Sequence, residues 1–256
     1  MQFASPAEHY DRFMGRYLPT LATAFVDAVG LEVGARVLDV GCGPGGLTRE
    51  LADRVGATNV AAIDPAPQFV SACRERNPGA DVREGLAEML PWPDREFDTT
   101  LSSLVVAFMK DSNQGVREMA RVTRPRGTVA ACMWDIAGGG MTMLRLFWTA
   151  VRQIDPSAQG EQLRAGTTEG DLAERFSRAG LENVVDGELE ARAGYTGFDD
   201  FWQPFTLAVG PAGQCLASLP AERRTAVREA VRSELPDGPF SLTARAWYAA
   251  GTVPHA

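Results

Sequence analysis

The chain has 256 residues, 45% of them hydrophobic and 23% charged, which is enough to bury a full core in one elaborated domain and excludes disorder as its resting state. A formal charge of -8 argues against a surface built to hold polyphosphate backbones, so no nucleic-acid partner is expected. No apolar run is long enough to span a bilayer, and Met1–Phe13 has no apolar signal core. The four cysteines, Cys42, Cys73, Cys132 and Cys215, form no CxxC pair, so the expectation is a protein of the reducing cytoplasm with no metal site.

Short β-like runs alternate with helix-length amphipathic stretches over the first 135 residues, a rhythm that predicts a parallel sheet with right-handed crossovers. The predicted strands are Arg36–Val40, Asn59–Ile63, Ala80–Glu84, Phe97–Val106 and Gly127–Trp134. The predicted helices between them are Gly46–Val55, Pro67–Arg76 and Gln114–Val122. Beyond Trp134 the triple glycine Gly138–Gly140 precedes a helix over Met141–Ile154, and a second helix over Asp171–Ala179 leads into a strand over Glu182–Glu190. Helix Ala221–Leu235 and strand Ser241–Ala249 complete the pattern, so residues 1–256 read as one domain in which 138–180 and 196–238 are insertions that pack together as a substrate cap.

The first strand runs into Gly41, Gly43 and Gly46, which satisfy G-x-G-x-x-G, and Asp64 stands at the end of the second strand, where an acid can accept hydrogen bonds from two ribose hydroxyls. Spacing alone fits a nicotinamide dinucleotide as well as any other nucleoside ligand. Asp39, two residues before the first glycine, separates the readings: an acid there opposes a pyrophosphate and suits a cation.

Val37–Gly45, V-L-D-V-G-C-G-P-G, resembles the first motif of class I S-adenosylmethionine-dependent methyltransferases, and the similarity extends through about the first 135 residues, closest to the small-molecule and quinone-type branch. The resemblance implies an α/β, Rossmann-like, doubly wound sheet of seven mostly parallel strands with the last antiparallel, helical cap insertions, and S-adenosyl-L-methionine as cofactor. It places Asp39, Gly41, Gly43 and Gly45 at the donor, with Asp64 and Pro65 at its ribose and Phe69 beside its adenine. Glu84–Pro91 resembles the adenine loop, in which the Ala87 N–H would read the ring. Leu86 stands where the family usually has an acid, which leaves Glu88 or a carbonyl to meet the exocyclic amine. Ser102 and Ser103 end the fourth strand beneath the transferred methyl. At the front, Tyr10–Tyr17 resembles a closing segment in which Tyr10 covers the donor and Arg16 pairs with its carboxylate.

Methyl transfer from a sulfonium is an in-line displacement that needs alignment and dryness more than a catalytic group. His9 and Asp135 are candidate bases; His9 reads more readily as a surface or capping residue, and Asp135 equally as a loop acid that begins a turn. Phe108, Trp134, Trp148 and Trp202 are candidate walls of an acceptor pocket, although aromatic residues at helical spacing also build cores. The reading is methylation at O, N or C of a small organic molecule. Two others remain open: a nicotinamide-dependent oxidoreductase, which lacks a Tyr-x-x-x-Lys pair here, and a non-catalytic S-adenosylmethionine-binding protein.

Overall fold

The computed structural model describes residues 12–255. Its frame is a seven-stranded sheet in the order β3-β2-β1-β4-β5-β7-β6. The strands are β1 (Val37–Val40), β2 (Val60–Asp64), β3 (Asp81–Glu84), β4 (Phe97–Ser103), β5 (Thr123–Trp134), β6 (Glu182–Tyr195) and β7 (Phe240–Thr252). The first five are parallel, while β7 runs antiparallel between β5 and β6. This is the expected Rossmann-like, doubly wound sheet with its last strand reversed.

The principal helices are α1 (Leu18–Val29), α2 (Gly46–Val55), α3 (Pro67–Arg76), α4 (Ser112–Val122), α5 (Thr142–Ile154), α6 (Asp171–Arg178), α7 (Phe198–Trp202), α8 (Gly210–Ser218) and α9 (Ala221–Ser233). Local chemistry sets several of their starts: Pro67 occupies the first turn of α3, and the Asp111 carboxylate accepts from the Gln114 N–H at 3.0 Å to cap α4. Helices α1, α2, α5 and α7 to α9 share one core with Val37, Leu101, Cys132, Trp134 and Ala246 of the sheet. On the opposite face, α4 and α6 pack over Leu38, Ile63, Ala131 and Met133, as the strand period of two requires.

Strand ends moved where the backbone turns. Leu104 adopts a φ of 63°, so β4 ends at Ser103 instead of Val106, and Val106–Phe108 close a single 3-10 turn. β6 continues to Tyr195 because it pairs with β7 along nearly its whole length. The segment 138–180 divides between the faces: α5 packs on α8 and α9 from the segment 196–238, while α6 lies against β6, β7 and α4.

An aromatic cluster joins α5, α7 and the sheet. Phe147 is fully buried, stacks on Phe205 with centroids 4.9 Å apart, and meets Trp148 edge-on at 5.2 Å. Phe147→Ala removes the ring at the centre of this cluster and is expected to cost about 3–5 kcal/mol. Calorimetric or dichroism melting should register a fall in Tm of about 10 °C; a change within 2 °C would show that the cluster does not hold the helices down.

Candidate functional site

The site forms at the carboxyl ends of β1, β2 and β4, where the parallel ladder stops and the chain must turn. Gly41 N–H and Cys42 N–H both donate to Ile63 O, at 2.8 and 3.0 Å, which fastens the loop after β1 to the neighbouring strand. A methyl group on Gly41 would lie 2.3 Å from a Val105 methyl, so the loop approaches the chain after β4 more closely than any side chain permits. Gly43, with a φ of 52°, has no atom of the described residues within 4 Å of where its Cβ would be. Gly45 caps the amino end of α2.

Asp64 stitches the two loops together: its Oδ2 accepts from Gly43 N at 2.9 Å and its Oδ1 from Ala66 N at 2.9 Å. Burial pushes its carboxyl above the ordinary range, and those two N–H groups oppose the shift. Asp39 lies deeper, 1% exposed. The Thr48 hydroxyl of α2 donates to its Oδ2 at 2.7 Å, whereas its Oδ1 is buried with no hydrogen-bond partner among the described residues. Burial raises the Asp39 carboxyl to about 7 against that Thr48 bond. A buried acceptor in this state gains from a cationic donor.

Under the loop, Asn77 Nδ2 donates to Gly45 O at 3.3 Å and Cys73 O at 3.0 Å. A hydrogen bond shared with Cys73, aided by burial, pushes the Cys42 thiol up, while the same contact pulls the Cys73 thiol down to about 7. Thr48 and Asn77 were not singled out from sequence. The available signal was Thr48 itself, a polar residue on the inward face of an amphipathic helix.

Pro65 is exposed at the lip, and Phe69 is buried on α3. The Ala87 N–H has no acceptor among the described residues. Glu88, expected as a ligand, instead accepts from Lys110 N at 2.6 Å and Asp111 N at 3.1 Å, because it bridges two loops whose amides need a partner. The Ser102 hydroxyl is buried and donates to Val40 O at 3.0 Å, and the Ser103 hydroxyl accepts from the Cys132 thiol at 3.4 Å.

The expected partners of the acceptor and of the donor's carboxylate stand elsewhere. His9 and Tyr10 lie outside the described residues. Arg16 pairs with Asp200 of α7 at 3.0 Å, donates to Gly194 O and lies over the Tyr195 ring. This pair ties the segment before α1 to α7. Trp134 meets Tyr17 edge-on at 6.0 Å, Trp148 donates to Glu161 at 3.1 Å, and Trp202 stacks on Phe198 at 5.9 Å, all within packed cores. Phe108 is exposed, with Arg164 over its ring at 5.8 Å.

Asp135 is buried and fully engaged: it binds Arg245 at 2.7 Å and accepts from Gly138 N at 2.7 Å and Gly140 N at 3.2 Å. Burial would raise its carboxyl, but Arg245 and Gly138 outweigh that and hold it below the ordinary range. Its contribution to stability is therefore present above that range and lost as pH falls through the depressed value.

Residues 38–131 match the family described as a methyltransferase domain. An uncharacterized protein of Mycobacterium tuberculosis is 34% identical over 145 residues, 55% of this chain and 51% of its own length. A malonyl-(acyl-carrier protein) O-methyltransferase of Enterobacter lignolyticus is 32% identical over 46% of this chain and 45% of its own. The chain thus spans about half the length of these curated relatives. The solved structure of an N-methyltransferase of Haemonchus contortus with phosphomonomethylethanolamine and S-adenosylhomocysteine covers 97% of this chain and 57% of its own, with a TM-score of 0.58 at 17% identity, a likeness of fold.

Two substitutions test these environments. With a folded value near 7 against 3.8 unfolded, the Asp39 contribution to stability is full below pH 4 and lost as pH rises through 7. Asp39→Asn should therefore raise the donor-free Tm relative to wild type by about 5 °C more at pH 8 than at pH 5, and a pH-independent difference would contradict the raised value. Asp135→Ala leaves two glycine amides unpaired and Arg245 with only the exposed Glu188 at 3.4 Å, so a loss of about 2–3 kcal/mol is expected, discounted because Arg245 is partly exposed. Urea denaturation at pH 7 reads it, and an unchanged midpoint would refute the structural role.

Proposed function

Because the chain carries a class I methyltransferase domain, whose cofactor is S-adenosyl-L-methionine, we propose that the protein transfers the donor's methyl group to a small organic acceptor. The observation that supports this most is Asp39 Oδ1, a buried carboxyl oxygen without a partner among the described residues, on the strand that runs into the Gly41–Gly45 loop. The donor's ammonium and sulfonium are cations, and a dinucleotide's pyrophosphate is not. The residues present thus fit the methyl donor: Asp39 and the Gly41–Gly45 loop for its amino-acid end, Asp64 for its ribose, and the Ala87 N–H for its base.

When bound, the donor supplies a methyl already activated by positive sulfur. The chain's residues then contribute alignment and exclusion of water. Gly43 lets the ligand approach the backbone, and Asp64 orients the loop through the same carboxylate that meets the ribose. Asp39 sets the charge beneath the loop. Among the described residues, Asp135 is spent on Arg245 and the glycine turn, so proximity and desolvation dominate and the acceptor uses its own nucleophilic atom.

On the acceptor side we place the open surface hollow that includes Leu163 and Arg164, because the Arg164 guanidinium lies over the exposed Phe108 ring. The Enterobacter relative's name likewise points to an organic acyl group. Phe108 and Arg164 are therefore assigned to the acceptor side, whereas Trp134, Trp148 and Trp202 support the cap from within.

Thermal shift with S-adenosylmethionine, S-adenosylhomocysteine and NAD(H) is the first test. The two sulfur ligands should raise Tm and NAD(H) should not; the reverse pattern would overturn the proposal. Asp64→Ala should weaken S-adenosylhomocysteine at least tenfold by calorimetry. Mass spectrometry of a panel of phenols, amines, carboxylic acids and quinones should reveal a methylated product, and donor binding without any product would mark a non-catalytic protein.

A further inference from the structure

The inference concerns the base end of the donor site and rests on the reading under Proposed function. Ordering the sheet β3-β2-β1-β4 places the amino-acid end of the donor over β1, its ribose over Asp64 of β2, and its base beyond, at the lip formed after β3. That lip is tied in place by Gly85 N–H donating to Asp64 O at 3.1 Å.

The described residues expose only six large apolar side chains, and two stand on this lip: Leu86 at 53% and Met89 at 74%. The loop that carries them is joined to the segment before α4 by Glu88, whose Oε1 accepts from Lys110 N and Asp111 N. Three carboxylates of this junction are committed. Glu88 bridges the two segments, and Asp111 caps α4 through Gln114 N. Glu118 accepts from Leu90 N at 2.9 Å and pairs with Arg121 at 2.7 Å. Glu84 is the register partner of Asp64 and shares its strand face, the ribose side of the lip. The Leu86 carbonyl already accepts from Met89 N at 3.2 Å.

We infer that Leu86, with Met89, holds the adenine by apolar contact alone, so that no side chain reads its 6-amino group and the site admits donors altered at that position. Position 86 is thereby a specificity-determining residue for the donor. A side chain that accepted the amine would leave a polar group unpaired whenever the amine was missing, and so would reject such an analogue; Leu86 imposes no such penalty. Because the lip is exposed, a substituent on the amine extends over Leu86 and Met89 into solvent without a clash, and an aromatic one gains contact there.

The test compares three ligands by titration calorimetry on the full chain: S-adenosylhomocysteine, its 6-deamino purine analogue, which keeps the ring acceptor for the Ala87 N–H, and its N6-benzyl derivative. The wild type should bind the first two within threefold of each other and the benzyl derivative at least as tightly as the parent. Leu86→Asp, at an exposed position where the fold tolerates it, should favour the parent over the deamino analogue by tenfold or more. A wild type that binds the parent but loses tenfold or more on the deamino analogue overturns the inference, as does exclusion of the benzyl derivative. Binding of none of the three, nor of S-adenosylmethionine, removes the donor reading itself and the inference with it.

Discussion

A carboxylate that is buried and only half satisfied sits beneath the glycine loop, and the rest of the site is arranged around it. Asp39 is placed by its position in β1, a strand buried on both faces, where water cannot reach the second oxygen. Thr48 of α2 satisfies the first oxygen, which fixes the angle at which the helix leaves the loop. The same loop is bound to β2 through Ile63 O and Asp64. Three elements thus converge on a few backbone amides, and the left-handed glycine conformations are held by hydrogen bonds to neighbouring strands.

The opposite half of the molecule obeys a different constraint. Reversing β7 between β5 and β6 extends the sheet by a long hairpin, and the helices between β6 and β7 must cover apolar surface that the parallel core leaves open. Aromatic rings serve this purpose: Phe147, Phe201, Phe205 and Trp202 bury large areas with few rotatable bonds. Arg16 and Asp200 complete the junction with a charge pair that fixes the segment before α1 on α7. The buried Tyr17 and Tyr195 hydroxyls, 3.0 Å apart, satisfy one another at the same seam.

Much of the donor half was legible from single residues and spacing. The bounds of helices Gly46–Val55 and Pro67–Arg76 coincide with those expected, because glycine and proline punctuate them and the signals are local. Convergence of Asp39, Gly43 and Asp64 follows once two adjacent parallel strands are inferred, since each residue stands at a strand's carboxyl end. Long-range pairings were not legible. Arg16 is 184 residues from Asp200, and Asp135 is 110 from Arg245, separations over which no periodicity speaks.

Sequence by itself determined the strand-and-helix rhythm, the glycine loop and the acidic residues that flank it, because these depend on backbone sterics and on charges a few residues apart. Tertiary structure alone decided which polar groups remain available. Glu88, Asp135 and Arg16 each carry the chemistry expected of a ligand or base, yet each is taken up by a backbone amide or an opposite charge brought near by folding. The tryptophans were likewise assigned to packing by the meeting of α5 and α7 with the sheet, a contact between segments too distant in the chain for either to specify alone.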